Sequence, residues 1–233
     1  MSKNIVTARQ LSGNKEIQNV ATLSSSIAHE LNNYLAAINI CAELSEVKLG
    51  EIKKTVKSAS YLINNLQLQI KGVIVGKPDT SDFKRYSISK NIDEALEGYP
   101  FKSGERELVR VERLKDFEYK GNPALTNHIF YNLIKNSLRA IQNAEKGNIT
   151  INLEVGTTFN KLIFKDTATG VAKEFLPKIF ELFASQTIVQ GGTGVGLAFC
   201  KTIMISYGGD IICNSMEGEY TEFILSFPVV NLN

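Results

Sequence analysis

The sequence predicts an α+β chain of two units: an antiparallel helical hairpin that pairs with a second copy as a four-helix bundle, then a two-layer α/β sandwich. Three observations predict it. Ile17, Val20, Ser24, Ile27, Leu31, Tyr34, Ile38, Cys41 and Ser45 recur at alternating steps of three and four, the a/d spacing of a coiled-coil seam. Ile52, Val56, Ala59, Ile63, Leu66, Ile70 and Val73 repeat that spacing after Gly50, which tolerates the left-handed backbone of a helix stop. Beyond residue 87 strand and helix patterns are mixed, as in one sheet covered by helices on one face.

Each element follows in order. Residues 1–14 are polar and aperiodic, a tail. Residues 15–75 form the hairpin, and one hairpin this narrow cannot bury both faces of its seam, so a homodimer is expected. Residues 76–87, GKPDTSDFKRYS, carry Gly, Pro, Asp and Ser and read as a linker. In residues 88–233, helices are expected at 88–96, 124–144 and 194–207. Strands are expected at 108–113, 117–119, 149–155, 162–166, 210–214 and 221–227.

Composition narrows the function classes. A net charge of +2 over 233 residues gives no electrostatic case for nucleic acid or an anionic membrane surface as the main partner. Three widely spaced cysteines, Cys41, Cys200 and Cys213, form neither a disulfide framework nor a zinc pattern and suit a reducing cytosol. No segment approaches the ~18 consecutive apolar residues of a membrane span, and MSKNIVTARQ lacks the apolar core of a signal peptide. A cytoplasmic location is expected, whether for a free protein or for the cytosolic part of a membrane receptor.

The chemistry-bearing residues fall in two groups. With Ser24, Leu31 and Ile38 at position a, His29 falls at f, pointing away from the partner helices. A neutral imidazole is a competent nucleophile near neutral pH. Glu30, its neighbour, can fix the tautomer and accept the departing proton, and Asn33 lies close by in sequence. Further on, Asn132, Asn136 and Arg139 share one helical stripe, able to hold a magnesium ion and phosphate oxygens through amide carbonyls and a guanidinium fork, although a solvated polar face looks the same. Gly191-Gly192-Thr193-Gly194-Val195-Gly196-Leu197 opens directly into a helix, an arrangement in which backbone N–H groups and the helix dipole favour an anion. Asp166, at a strand end with Gly170 four residues on, can accept a hydrogen bond from an exocyclic amine while the backbone turns under a flat ring. Ile179, Phe180, Leu182 and Phe183 form an apolar cluster that equally suits a core.

In order, these segments resemble the signature of sensor histidine protein kinases of two-component systems, over about residues 15–230. His29-Glu30-Leu31-Asn32-Asn33 is similar to the H-box and Asn132-Leu133-Ile134-Lys135-Asn136 to the N-box. Asp166 to Gly170 is similar to the first glycine box, Ile179 to Phe183 to the F-box, and Gly192 to Leu197 to the second glycine box. The resemblance implies a dimerisation and phosphotransfer hairpin followed by a Bergerat-type ATP-binding domain over residues 88–233. It further implies autophosphorylation of His29 from Mg-ATP and transfer to an aspartate of a response-regulator receiver domain. By the same match Asn136 would ligate Mg2+, Asn132 would support it and Arg139 would touch phosphate. Asp166 would read the adenine amine, with Gly170, Phe180 and Phe183 around it. Gly192, Thr193, Gly194, Gly196 and Leu197 would shape the lid and phosphate end. Glu30 and Asn33 resemble the pair that positions water for dephosphorylating the partner.

Two residues depart from the family pattern. Ala168 stands where glycine is usual, which is expected to weaken adenine binding without abolishing it, and Tyr34 stands in place of a common proline. The alternative kept open is a phosphotransfer protein whose ATP-binding domain has degenerated. An ATPase of the gyrase or chaperone kind is opposed by the asparagine at 132, where those enzymes place a carboxylate. A coiled-coil adaptor would have no nucleotide affinity.

Overall fold

A computed structural model describes residues 80–112, 115–182, 184 and 194–230. Apart from Gly194, all of these lie in one unit, spanning residues 68–184 and 195–233. The expected hairpin over 15–75, with His29, Glu30 and Asn33, lies outside the described residues, as do Phe183, Gly192 and Thr193.

The unit opens with β1 (Lys84–Ser87) and α1 (Ile88–Gly98). Ser87 ends the strand and caps the helix, its hydroxyl accepting the Lys90 N–H at 3.1 Å. Ile88, Asn91, Ile92, Ala95 and Leu96 recur at helical spacing and are buried. Two strands follow, β2 (Val109–Glu112) and β3 (Glu118–Gly121). The long helix α2 (Pro123–Ala144) starts on Asn122, whose side chain accepts from Ala124 N–H at 2.9 Å, with Pro123 pre-set for the first turn. It ends on Glu145, held at φ 52°. The chain then runs through β4 (Ile149–Glu154), β5 (Phe159–Asp166), α3 (Gly196–Ser206), β6 (Asp210–Met216) and β7 (Tyr220–Pro228).

Five strands form one mixed sheet in the order β2-β4-β5-β7-β6, with β2 parallel to β4 and every other pair antiparallel. Alternation along β4, β5 and β7 sends Ile149, Ile151, Leu162, Phe164, Phe223, Leu225 and Phe227 to the buried face. There they meet the apolar faces of the helices, including Ile129, Leu133, Ile134, Phe199 and Ile203. This is the expected two-layer sandwich.

The single sheet expected from sequence needs correction. β1 and β3 form a separate two-stranded ribbon, paired Lys84 to Gly121 through Ser87 to Glu118. Lys84–Ser87 closes the segment read as linker, and its one large apolar side chain, Tyr86, gives no alternation to recognise. The ribbon is tied down by aromatic packing, with Tyr119 against Phe227 at 5.2 Å and Phe83 edge-on to Tyr207 at 5.1 Å between ring centroids. Behind it, buried Asn91 accepts from the Tyr119 hydroxyl and donates to Pro123 O at 3.2 Å, joining ribbon, α1 and α2. Among the described residues no helix is long and apolar enough to cross a membrane.

Candidate functional site

Three elements supply the predicted residues: one face of α2, the start of α3, and the C-terminal end of β5. On α2, Asn132 and Arg139 are half-buried and Asn136 is exposed. Asn132 faces α3 across Gly196 so closely that a Cβ on that glycine would lie 2.8 Å from Asn132 Oδ1. Its Nδ2 is buried with no hydrogen-bond partner, although the Cys200 thiol on α3 is near enough to interact with Asn132. A donor left in that position is available to a ligand oxygen.

The start of α3 has the same character. Val195 precedes it without a side-chain cap, and no acidic residue occupies the first turn. Neither a capping side chain nor a carboxylate of the first turn offsets the positive end of the helix dipole, which suits an anion. Leu197 is half-buried in the first turn and Gly194 sits at φ 64°, left-handed backbone that favours glycine.

Asp166 is the last residue of β5, paired to Thr221 on β7 and to Ile149 on β4. It is 2 % exposed. Ser137 on α2 donates its hydroxyl to Oδ2 at 2.6 Å, and Ala168 N–H donates to Oδ1 at 3.2 Å. Burial raises the carboxyl above the ordinary aspartate range, while Ser137 and the backbone N–H groups of Ala168 and Thr221 pull it back. The turn after it is stapled to the β6–β7 hairpin: Gly218 N–H donates to Thr169 O at 2.6 Å and Val171 N–H to Ser215 Oγ at 2.8 Å. Gly170 is required there. Its φ is 64°, and a Cβ would lie 2.1 Å from Met216 O. Ala168 is fully buried and its φ is not positive, so its methyl group joins the core without backbone strain.

Beyond the turn, Ile179 is buried and Phe180 stands half-buried, edge-on to Phe223 at 6.4 Å. Lys201 Nζ lies 5.4 Å from the centre of the Phe180 ring while bonding Asp210 at 2.5 Å and Ile211 O at 3.1 Å. Leu182 is 40 % exposed and so stands apart from the predicted apolar cluster.

The structure thus joins Asn132 to Gly196 through direct packing, and α2 to Asp166 through Ser137. Ser137, Thr221 and Lys201 were missed from sequence. For Ser137 a signal existed, a hydroxyl on a helix face otherwise occupied by Ile134, Leu138 and Ile141.

Residues 121–231 match the family described as histidine kinase-, DNA gyrase B-, and HSP90-like ATPase. Residues 121–231 form a domain of that ATPase family. This domain covers all three elements of the site, and the likeness extends well outside it. The chain is 31% identical over 231 residues to the autoinducer 1 sensor kinase/phosphatase LuxN of Vibrio campbellii, covering 94% of this chain and 27% of LuxN. It is 26% identical to the CAI-1 autoinducer sensor kinase/phosphatase CqsS of Vibrio cholerae, over 94% of this chain and 35% of CqsS. It is 28% identical to sporulation kinase D of Bacillus subtilis, over 92% of this chain and 43% of that kinase. The chain therefore spans less than half the length of each of these relatives. Solved structures share the fold. The catalytic domain of histidine kinase ThkA superposes with a TM-score of 0.53 at 23% identity, covering 63% of this chain and 95% of ThkA's. Acinetobacter baumannii histidine kinase AdeS superposes with a TM-score of 0.56 at 16% identity, covering 87% and 98%.

Proposed function

We propose that this chain is the catalytic core of a sensor histidine kinase: its ATPase-family domain binds Mg-ATP, His29 takes the γ-phosphoryl group, and a receiver-domain aspartate of a response regulator accepts it. The observation that carries the reading is a likeness to sensor kinases over 94% of the chain, which reaches past the ATPase domain into the segment holding His29.

In this reading the nucleotide lies between the end of β5 and the α2–α3 seam. Asp166 accepts from the exocyclic amine of adenine over the turn at Gly170, with Phe180 and Phe183 nearby. The first N–H groups of α3, with Asn132 and Arg139, take the phosphates, and Gly192, Thr193, Gly194, Gly196 and Leu197 form the lid and phosphate end. The open polar stripe of α2 fits a hard cation, with Asn136 offering a carbonyl oxygen. Among the described residues no cluster of three or more His, Cys, Asp or Glu could hold a metal; Mg2+ held by Asn136 together with phosphate oxygens would supply positive charge to offset that of the transferring group. The His29 ring nitrogen attacks the γ-phosphorus in line. A nitrogen–phosphorus bond forms, the bond to the β–γ bridging oxygen breaks, ADP leaves, and Glu30 takes the imidazole proton.

The hairpin over 15–75 would supply the homodimer and the linker over 76–87 the freedom for His29 and nucleotide to meet. On this reading the reaction would run in the cytoplasm, where ATP is supplied. Glu30 and Asn33 would support dephosphorylation of the partner, the second activity that the names of LuxN and CqsS carry.

The test is incubation with γ-labelled ATP and magnesium. Acid-labile, alkali-stable label should appear on the wild-type chain and be absent from His29→Gln. An unlabelled wild-type chain that still binds Mg-ADP would instead leave an ATPase-family domain without kinase activity.

A further inference from the structure

We propose that Ser137 is a positioning residue that makes the site select amino-purine over keto-purine nucleotides, by holding the Asp166 carboxylate as an acceptor. This rests on Asp166 being the base-contacting residue, as read above.

Ser137 follows Asn136 on α2 but faces the other way, 1 % exposed. A hydroxyl buried beside Ile134, Leu138 and Ile141 needs an acceptor. It finds Asp166 Oδ2 at 2.6 Å, a length typical of a hydroxyl donating to an ionised carboxylate. The other partners of that carboxyl are the N–H groups of Ala168 and Thr221, which can only donate. Every described protein group bonded to Asp166 therefore favours the form with no proton.

That form decides what the base must offer. An ionised carboxylate can only accept, so it pairs with the N6 amine of adenine. A protonated carboxyl could donate to O6 of guanine or hypoxanthine. Burial alone pushes Asp166 toward the protonated form, and Ser137 is the foremost group opposing it. Among the described residues the titratable neighbour is the Cys213 thiol on β6, itself pushed up to about 12 and so uncharged. The residues paired with Asp166 from β4 and β7, Ile149 and Thr221, do not titrate.

The test compares the full wild-type chain with Ser137→Ala and Ser137→Thr, using displacement of a fluorescent ADP analogue by ATP and by ITP. ITP differs from ATP in carrying O6 in place of the N6 amine and a proton on N1. Titrations run from about pH 5.5 to 8, and circular dichroism confirms folding. Loss of the hydroxyl should weaken ATP binding roughly tenfold, shrink the ATP-over-ITP preference, and move the acid limb of ATP binding to higher pH. Ser137→Thr should restore all three. Alanine matching wild type in preference and acid limb would overturn the proposal, as would an equal loss for both nucleotides at every pH, the mark of a merely structural role. A folded threonine variant behaving like alanine would also overturn it. If the wild-type chain binds neither nucleotide, it is the base-contacting role of Asp166 that falls.

Discussion

Replacing Gly196 with alanine should separate folding from nucleotide binding. An added Cβ would lie 2.8 Å from Asn132 Oδ1 and 3.2 Å from its Cγ. Ordinary contact begins near 3.4 Å, so the amide must retreat, or α3 must lift, by about 0.6 Å. The backbone itself accepts alanine, since Gly196 is helical and its φ is not positive. Helix propensity favours alanine by up to about 1 kcal/mol, while overpacking costs about 1–3 kcal/mol. These oppose, so stability without nucleotide should fall by no more than about 3 kcal/mol. Binding has no such compensation. On the proposed reading Asn132 and the first N–H groups of α3 would approach one anion from two helices, and a displacement of this size would misalign both. The expected loss is about tenfold in affinity for Mg-ADP, near 1.4 kcal/mol. Thermal unfolding without ligand and fluorescence titration with an ADP analogue measure the two effects. A variant that binds as tightly as wild type would refute the placement of phosphates at this seam.

Two further outcomes are expected. Gly170→Ala, meeting both a left-handed φ of 64° and Met216 O at 2.1 Å, should cost about 3 kcal/mol or more and lower the melting temperature by roughly 6–12 °C, read by calorimetry. His128, 6 % exposed between α2 and α3, has its imidazole pushed down to about 4 by burial. Its contribution is therefore complete above pH ~6.5 and lost as pH falls toward ~4, a total of about 3 kcal/mol. Urea titrations at pH 7 and 4 should show that much less acid destabilisation in His128→Phe, and an unchanged difference would count against a buried neutral imidazole.

The parts of the fold that were legible are those whose residues state their own burial. Helix α2 was expected at 124–144 and runs Pro123–Ala144, because apolar side chains mark its core face along its length. Strand β7 alternates residue by residue, and 221–227 was expected where Tyr220–Pro228 is observed. Strand β5 was read as starting at Leu162, three residues late. Its first buried position is Asn160, a polar residue whose Oδ1 takes the Gly156 N–H at 3.1 Å, while Phe159 is 42 % exposed. Polarity there is inverted, and only the neighbouring loop explains it. Asp166, Gly170, Asn132 and Gly196 were singled out by residue type and spacing. That Asn132 touches Gly196 and that Ser137 holds Asp166 depends on how α2 lies on the sheet and on α3, which no local pattern encodes. Across the ribbon, Tyr207 shows the same limit. Its hydroxyl donates to Asn122 O at 2.9 Å, a contact 85 residues apart in the chain.

Asp166 ends the central strand of five and is hydrogen-bonded to neighbours on both sides, whereas Asn132 and Gly196 stand on two helices that meet through side chains. A sheet interior resists deformation more than a helix–helix contact does. On the proposed reading, warming, an altered residue such as the exposed Ile205 on α3, or leverage from an attached protein would disturb phosphate binding before it disturbed the choice of base. If the proposed site holds, tightness and selectivity would be inherited from different regions of the molecule, so that one could change without the other.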